Sequence, residues 1–176
     1  AVILDNSIKI EKLNLGGIGK GPSDNGDIVE VPFSLPGDHI QLEETNFGPP
    51  LIMSIIKNSP YRVTPICPQF GVCGGCSLQH MHMEAQRAWK EDSVEELFRA
   101  HGLDVSALQS LEGPSHSSGF RAKAQFMIRP KEDLGYALGL FATRSNDLIA
   151  LDECMVQDAV TGSVLTQLAP LLSNAD

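Results

Sequence analysis

Three of the four cysteines in this chain of 176 residues fall within one short, glycine-rich stretch, which constrains the fold more than any other feature. They are Cys67, Cys73 and Cys76, whereas the fourth, Cys154, lies far downstream. Three thiolates this close in sequence can bind one soft metal centre, and the intervening glycines let the backbone fold tightly around it. The stretch therefore predicts a metal site.

The spacing of the cysteines leaves the metal open. Structural zinc usually takes its thiolates from two local pairs, whereas a C-x5-C-x2-C run with one remote cysteine is closer to the ligand supply of an iron-sulfur cluster. The spacing alone favours the cluster over zinc by a small margin. A Cys3His site that uses His80 or His82 instead of Cys154 is the weaker alternative. Disulfides are disfavoured, because the sequence shows no signal segment and Cys73 and Cys76 are too near each other for an easy bridge.

Several segments of the chain together resemble the RNA uracil-5-methyltransferase family. The cysteine stretch with Ser77-Leu78-Gln79-His80 looks like the iron-sulfur segment of that family, and residues 8–43 are similar to its TRAM domain. In chain order, the segments that carry the resemblance are residues 8–43, 59–63, 67–80, 86–90 and 120–124, with Cys154. The resemblance therefore spans nearly the whole chain in the order of the family.

The resemblance implies a 4Fe-4S cluster held by Cys67, Cys73, Cys76 and Cys154. It also implies a C-terminal, Rossmann-like domain that binds S-adenosylmethionine and carries a cysteine nucleophile and a general base. In the family reaction, a thiolate adds to uracil C6, C5 takes the methyl group, and proton removal with elimination frees the enzyme. A thiolate that binds iron is not also a free nucleophile. We therefore expect an N-terminal part without the catalytic domain, inactive alone, and the opening at Ala1 rather than Met agrees with this expectation.

The sequence pattern and the family resemblance together imply an α+β fold in three segments. Residues 1–64 are predicted to form an OB-like, TRAM-like barrel, residues 65–118 the iron-sulfur loop and a helix, and residues 119–176 the start of a central RNA-binding α+β domain. The predicted elements are strands over Ser7–Leu13, Ile28–Phe33, His39–Glu43, Leu51–Lys57, Phe120–Arg129, Gly135–Phe141 and Leu148–Leu151, a helix over Met83–His101, and a final helix capped by Asp158. An apolar fraction of 42% permits real cores.

The predicted strand Phe120–Arg129 is the candidate RNA-binding surface. Alternation places Phe120 and other apolar side chains on one face, and Arg121, Lys123, Gln125 and Arg129 on the other. From residue 119 to 131 there are four basic residues and no acidic one, so positive charge is concentrated there. The candidate RNA-contacting residues are Arg121, Lys123, Phe120, Gln125, Arg129 and Lys20. The glycine run around Lys20 is interpreted as a barrel turn, because no helix follows it to form a phosphate loop.

The formal net charge of −9 complicates an RNA-binding interpretation, because phosphate binding depends on clustered Lys and Arg. No stretch is long enough to span a membrane, and cysteines with metal-like spacing suit a reducing cytoplasm. The expected partners are RNA, ribosomal in preference to transfer RNA, and the C-terminal methyltransferase domain of the same protein. Two other functions remain open: a zinc-stabilised RNA-binding adaptor and an iron-sulfur electron carrier.

Overall fold

The computed structural model describes residues 7–43, 45, 48–113, 116–132 and 134–175. The described part of the chain contains three antiparallel sheets of three strands each and two helices, so the predicted α+β class is confirmed. Two compact units are formed. The barrel unit takes in the chain up to Thr64 together with His80–Leu111, and the cysteine unit takes in Pro65–Gln79 and the chain from Glu112 onward. The three-segment division of the sequence stays a prediction.

The barrel unit contains two small sheets that share one apolar core. Its strands are β1 (Ser7–Lys9), β2 (Lys12–Leu13), β3 (Gly19–Pro22), β4 (Ile28–Val31), β5 (His39–Glu43) and β6 (Leu51–Lys57). The first sheet has the order β1-β5-β6 and the second has the order β2-β3-β4. The buried core residues are Ile8, Ile10, Val31, Ile40 and Leu42. Burial of branched aliphatic side chains from both sheets in one cluster stabilises a small barrel-like body.

The prediction of one continuous strand over Ser7–Leu13 is wrong, because the chain changes partner in the middle. The Ile10 amide donates to the carbonyl of Asp38 at 2.9 Å, and the next amide, Glu11, donates to the carbonyl of Lys20 at 2.9 Å. One segment therefore serves both sheets, as β1 beside β5 and then as β2 beside β3. The next predicted strand is also shorter than expected: β4 ends at Val31, before Phe33, whose φ is 61°.

The glycines of β3 allow a close approach of neighbouring chain segments. A Cβ on Gly19 would lie 2.1 Å from the Ser34 hydroxyl oxygen, and one on Gly21 would lie 2.0 Å from the carbonyl oxygen of Lys9. Any larger residue would force the sheets apart. The glycine run is thus explained by packing within the barrel unit.

A buried carboxylate fixes the turn that leads into β5. Asp38 is fully buried, and it accepts hydrogen bonds from the amides of Leu35, at 2.7 Å, and Ser59, at 2.8 Å. The Arg62 guanidinium forms a salt bridge with the same carboxylate and also donates to the carbonyl of Phe33. Because every oxygen of Asp38 has partners, the buried charge is compensated, and the turn is tied to the segment that follows β6.

Helix α1 (Met83–Ala100) follows the cysteine loop in sequence and matches the predicted helix, which ended one residue later. Gly102, with φ of 67°, lies just beyond its end, as expected for a helix stop. The helix has no buried residue, and its acidic side chains are mostly exposed. No helix in the described ranges is both long enough and apolar enough to cross a membrane.

The cysteine unit contains one antiparallel sheet and a helix packed on it. The sheet has the order β7 (Met127–Pro130), β8 (Tyr136–Phe141) and β9 (Leu148–Ala150), and α2 (Ala159–Ser173) contacts β8. Leu138, Leu165 and Ala169 form its buried core. Asp158 caps α2, as predicted, because its carboxylate accepts the Thr161 amide at 2.7 Å.

The predicted strand Phe120–Arg129 is much shorter than expected, since β7 begins at Met127. Arg121 makes an isolated parallel bridge with Gln157 instead of a sheet ladder, and its amide donates to the carbonyl of Val156 at 2.8 Å. The segment before α2 thus takes the place of a neighbouring strand. The predicted core face is only partly correct: Phe126 packs against the core of Leu138, Leu165 and Ala169, but Phe120 and Ile128 are 50% and 49% exposed.

Candidate metal centre

The four cysteines line one small, mainly apolar pocket of the cysteine unit. All four are free thiols, and each is partly exposed. Leu140, Leu151 and Val156 contribute apolar walls, and Gln79 and Arg121 contribute polar groups. The structure therefore brings together the three local cysteines and the remote one.

The cysteine loop, residues 65–79, is placed against the end of β8 by backbone hydrogen bonds. The Gly74 amide donates to the carbonyl of Phe141 at 2.9 Å, and Cys73 forms an antiparallel bridge with Ala142. The Thr143 amide in turn donates to the carbonyl of Val72 at 3.0 Å. The loop thus lies along the chain that leaves β8 as a short extra strand, which fixes Cys73.

Two neighbouring glycines in the loop allow this close approach. A Cβ on Gly74 would lie 3.0 Å from the carbonyl oxygen of Phe141, and one on Gly75 would lie 3.0 Å from a methyl group of Leu140 and 3.4 Å from the sulfur of Cys73. Gly71 is different: its φ is 87°, and a Cβ there would meet nothing within 4 Å. A side chain at Gly74 or Gly75 would therefore meet close neighbours, whereas a side chain at Gly71 would have free space beside it.

Two of the sulfurs receive hydrogen bonds from N–H groups. The backbone amide of Gly75 donates to the Cys73 sulfur at 3.4 Å, and the Gln79 side-chain amide donates to the Cys76 sulfur at 3.3 Å. Burial raises the pKa of the Cys76 thiol and the charges of the other three cysteines raise it further, whereas the bond from Gln79 opposes the rise. The charge effect of the other three sulfurs on the pKa of Cys76 agrees with their shared pocket. Binding to a metal would replace the proton that burial retains on Cys76.

The remote cysteine is brought to the pocket by the hairpin of β8 and β9. Cys154 follows β9 closely and packs against the core of Leu138, Leu165 and Ala169. The Gln157 amide donates to the carbonyl of Cys154 at 3.1 Å, which turns the chain toward α2. The β8–β9 hairpin therefore brings the remote Cys154 close to the three cysteines of the loop, although many residues separate them in the chain.

The pocket offers the thiol groups of four cysteines as possible donors. Four thiolates are the ligands of a 4Fe-4S cluster, and N–H bonds to the sulfurs are typical of its surroundings. A cluster is larger than one ion, so its thiolates surround a volume rather than converge on a point. Among the residues that the structure describes, no three or more His, Cys, Asp or Glu side chains are arranged to hold one metal ion. His80 belongs to the barrel unit, where its ring packs edge-on against Phe33 with centroids 6.3 Å apart.

The predicted RNA-contacting residues have different surroundings. Arg121 lines the cysteine pocket. Phe120, Lys123 and Gln125 are exposed in the irregular segment before β7, and the exposed Arg129 guanidinium lies 5.7 Å from the ring centroid of Phe141. Lys20 lies in the barrel unit opposite Glu30, and it lines a groove of about 790 Å³ that also contains Glu11, Asp92 and Glu96. The mixed charge of that groove offers no concentrated positive surface.

Gln79 is the residue of this site whose role the sequence did not indicate. It was part of the segment that carries the family resemblance, but an amide three residues after a cysteine has no distinctive pattern. Only the folded loop reveals its hydrogen bond to sulfur.

Comparison with known proteins relates the chain to RNA methyltransferases over nearly its whole length. It is 30% identical over 174 residues to an uncharacterized RNA methyltransferase of Streptococcus mutans, covering 95% of this chain and 38% of that protein. It is 33% identical over 171 residues to the 23S rRNA (uracil(1939)-C(5))-methyltransferase of Photorhabdus laumondii, covering 92% of this chain and 38% of the relative. The corresponding enzyme of Chromohalobacter salexigens is 30% identical over 171 residues, with 95% and 36% covered.

No protein-family model matches the chain. The chain spans well under half of the length of these curated relatives, 36–38% in each case. The three relatives agree in class, since each is an RNA methyltransferase, and two of them carry the name of a uracil-C5 enzyme. By this sequence similarity along 92–95% of its residues, the chain belongs to the RNA uracil-5-methyltransferase family.

Proposed function

We propose that this chain is the iron-sulfur-containing, RNA-recognition part of an S-adenosylmethionine-dependent uracil-5-methyltransferase that acts on 23S ribosomal RNA. The observation that carries the proposal is the pocket lined by Cys67, Cys73, Cys76 and Cys154 together with Arg121. A thiolate centre and a cation that can contact phosphate are combined in one place. The relatives named for 23S rRNA supply the substrate class.

The four cysteines would hold a 4Fe-4S cluster, whose contribution is to bind the loop to the sheet. The protein's own part is the preorganisation of the ligands. The bonds between Gly74 and Phe141 and between Thr143 and Val72 place the loop, and the β8–β9 hairpin returns Cys154 to it. Closing so long a loop costs conformational entropy, which metal binding offsets.

The RNA-contacting surface would begin at Arg121, whose backbone is fixed from both sides. Its amide donates to Val156 and its carbonyl accepts the Asp158 amide at 3.0 Å. Both partners lie just after Cys154 in the chain, so the centre would hold Arg121 in place through a few residues. Lys123 follows in the same exposed segment. We assign Phe120, Gln125 and Arg129 of the cysteine unit to weaker contacts, and Lys20 to a separate contact of the barrel unit.

Methyl transfer would require groups other than these cysteines. A thiolate engaged with iron cannot attack uracil C6, so we assign none of the four as the nucleophile. S-adenosylmethionine, the nucleophile and the general base belong to the activity of the complete relatives. For this chain we propose recognition of the RNA and no chemical step.

The metal content tests the first half of the proposal. Protein purified without oxygen should contain about four iron and four sulfide per chain. Zinc in place of iron, without sulfide, would support the adaptor alternative instead. A chain with neither metal would contradict the proposed centre.

The RNA-contacting surface is tested by replacing Arg121 and Lys123 together with Ala. Loss of two phosphate contacts should weaken binding to a 23S rRNA fragment and lower the slope of log K against log salt by about 1.4 to 1.8. The matched control replaces two exposed lysines of the barrel unit, Lys9 and Lys57. Iron content should be normal in both variants. Equal salt slopes in the two double variants would refute the assignment of this surface.

A further inference from the structure

The side chain of Gln79 joins the first cysteine of the loop to the last. Its carbonyl oxygen accepts the backbone amide of Cys67 at 3.2 Å, and its NH2 group donates to the Cys76 sulfur at 3.3 Å. The two bonds together assign the orientation of the amide. Because the Cys67 N–H can only donate, it must face the carbonyl oxygen, which leaves the NH2 group for the sulfur.

Gln79 is a polar side chain that bridges the two ends of the cysteine loop. In residues 65–79, all of which the structure describes, no residue is buried. The backbone bonds on either side of Gly74 fix the middle of the loop, and Gln79 connects its two ends. A side chain that holds both ends of a ligand loop restricts the distance between the first and third thiol.

The donated hydrogen bond also has an electrostatic effect. An N–H directed at a thiolate stabilises negative charge on the sulfur. When a cluster takes up an electron, part of the added charge lies on its cysteine sulfurs, so a donor at Cys76 stabilises the reduced state more than the oxidised state. Loss of the donor should therefore make the reduction potential more negative.

We propose that Gln79 is a positioning residue of the iron-sulfur centre, which closes the cysteine loop through its carbonyl and sets the reduction potential through its bond to the Cys76 sulfur. This inference rests on the proposed function, since it requires a cluster in the cysteine pocket. It adds a residue that binds no metal itself. It also predicts that the two halves of the amide have separable effects.

The substitution Gln79→Glu separates these effects. A carboxylate can still accept the Cys67 amide, but it offers no donor to the Cys76 sulfur and places negative charge beside it. The matched control is Gln69→Glu, which adds the same charge in the same pocket. In the described part of the chain, the Gln69 side chain makes no hydrogen bond to a cysteine sulfur, whereas its backbone carbonyl accepts the Cys73 amide at 2.9 Å.

The measurements are the iron and sulfide content of anaerobic protein, its reduction potential by voltammetry, and the half-life of the cluster in air. We expect Gln79→Glu to bind iron, to have a more negative potential than Gln69→Glu, and to lose its cluster about 10-fold faster than the wild type. Gln79→Leu removes both bonds and should lower the iron content itself.

The outcomes distinguish this inference from the function on which it rests. If Gln79→Glu and Gln69→Glu contain normal iron and have the same potential, Gln79 has no role in setting the potential, although the centre stands. If the wild-type chain lacks iron and sulfide, the proposed centre is refuted, and the role of Gln79 with it. A normal iron content in Gln79→Leu would refute the loop-closing role.

Discussion

The barrel unit and the cysteine loop are stabilised in different ways. In the barrel unit, Val31, Leu35 and Ile40 are fully buried, and the buried Asp38 has partners for both oxygens. The cysteine loop has no buried side chain, although it carries three of the four thiols. The comparison teaches that the barrel unit combines a buried apolar core with a compensated buried charge, whereas the cysteine loop is held by backbone and Gln79 hydrogen bonds, to which the proposed metal centre would add cross-links.

The largest effect is expected in the cysteine loop, with no accompanying change in the barrel unit. Cys154→Ala should strongly lower the iron content, because it removes one of the four proposed thiolate ligands and supplies no donor in its place. Amide hydrogen exchange should become fast in residues 66–79, whereas Ile8 and Ile40 of the barrel core should stay protected. Met155→Ala is the matched control, since Met155 lines the same pocket and binds no metal in this proposal. Full iron content in the Cys154 variant would contradict the proposed role of Cys154 in the metal centre of the cysteine loop.

The second prediction concerns the barrel unit. Asp38→Ala would leave the Arg62 guanidinium and the amides of Leu35 and Ser59 without their acceptor, at a cost of about 3–5 kcal/mol in the free energy of unfolding. Urea unfolding can be followed by the fluorescence of Trp89, the one tryptophan of the chain, which lies in α1.

The control for this variant is Asp27→Ala, because Asp27 is exposed. It should change the free energy of unfolding by less than about 0.5 kcal/mol. Iron content should be unchanged in both variants. A similar stability of the two variants would show that the buried carboxylate contributes little to the barrel unit.

The smallest effect is a pH dependence of the barrel unit. The pKa of His80 is lowered from 6.5 to about 4, first by burial and then by the Arg62 guanidinium, against the opposing charge of Asp38. Below pH 6.5 the unfolded chain binds a proton that folded His80 does not. The contribution of neutral His80 to the free energy of unfolding is therefore fully present above pH 6.5. It is lost as the pH falls toward 4, by on the order of 1 kcal/mol per pH unit.

The pH dependence is measured by urea unfolding between pH 4.5 and 7.5, in steps of about 0.5 pH unit. His80→Gln should flatten the dependence, whereas His82→Gln, at an exposed position, should not. If both variants retain the slope of the wild type, the pH dependence comes from other groups.

The sequence predicts the local elements better than the way in which they associate. The strands His39–Glu43 and Leu51–Lys57, helix α1 and the Asp158 cap were predicted correctly, because alternation and capping are local patterns. The strand over Phe120–Arg129 was not, because its alternation is real but Arg121 bonds to residues far away in the chain. The apolar side chains of α2 also differ in burial, since Leu165 is buried but Val160 is 74% exposed.

For the candidate site, the sequence indicated the cysteines but not their environment. Their types and spacing identify thiol ligands, and the hairpin prediction explains how Cys154 can return to the loop. The hydrogen bonds to sulfur depend on the three-dimensional path of the loop, so no spacing rule anticipates Gln79. Likewise, the position of Arg121 in the pocket follows from the bridge to Gln157.

The unequal packing of the glycines has a consequence for how such loops change in evolution. Between Cys67 and Cys73, a Cβ at Gly71 would meet nothing within 4 Å, so we expect added residues to be tolerated at this turn, whereas Gln69 and Phe70 beside it line the cysteine pocket. Between Cys73 and Cys76 the backbone is pressed against Phe141 and Leu140, and one inserted residue would shift the third sulfur out of register with β8. We therefore expect insertions between Cys73 and Cys76 to displace the Cys76 sulfur, and insertions at Gly71 to leave the three sulfurs in place.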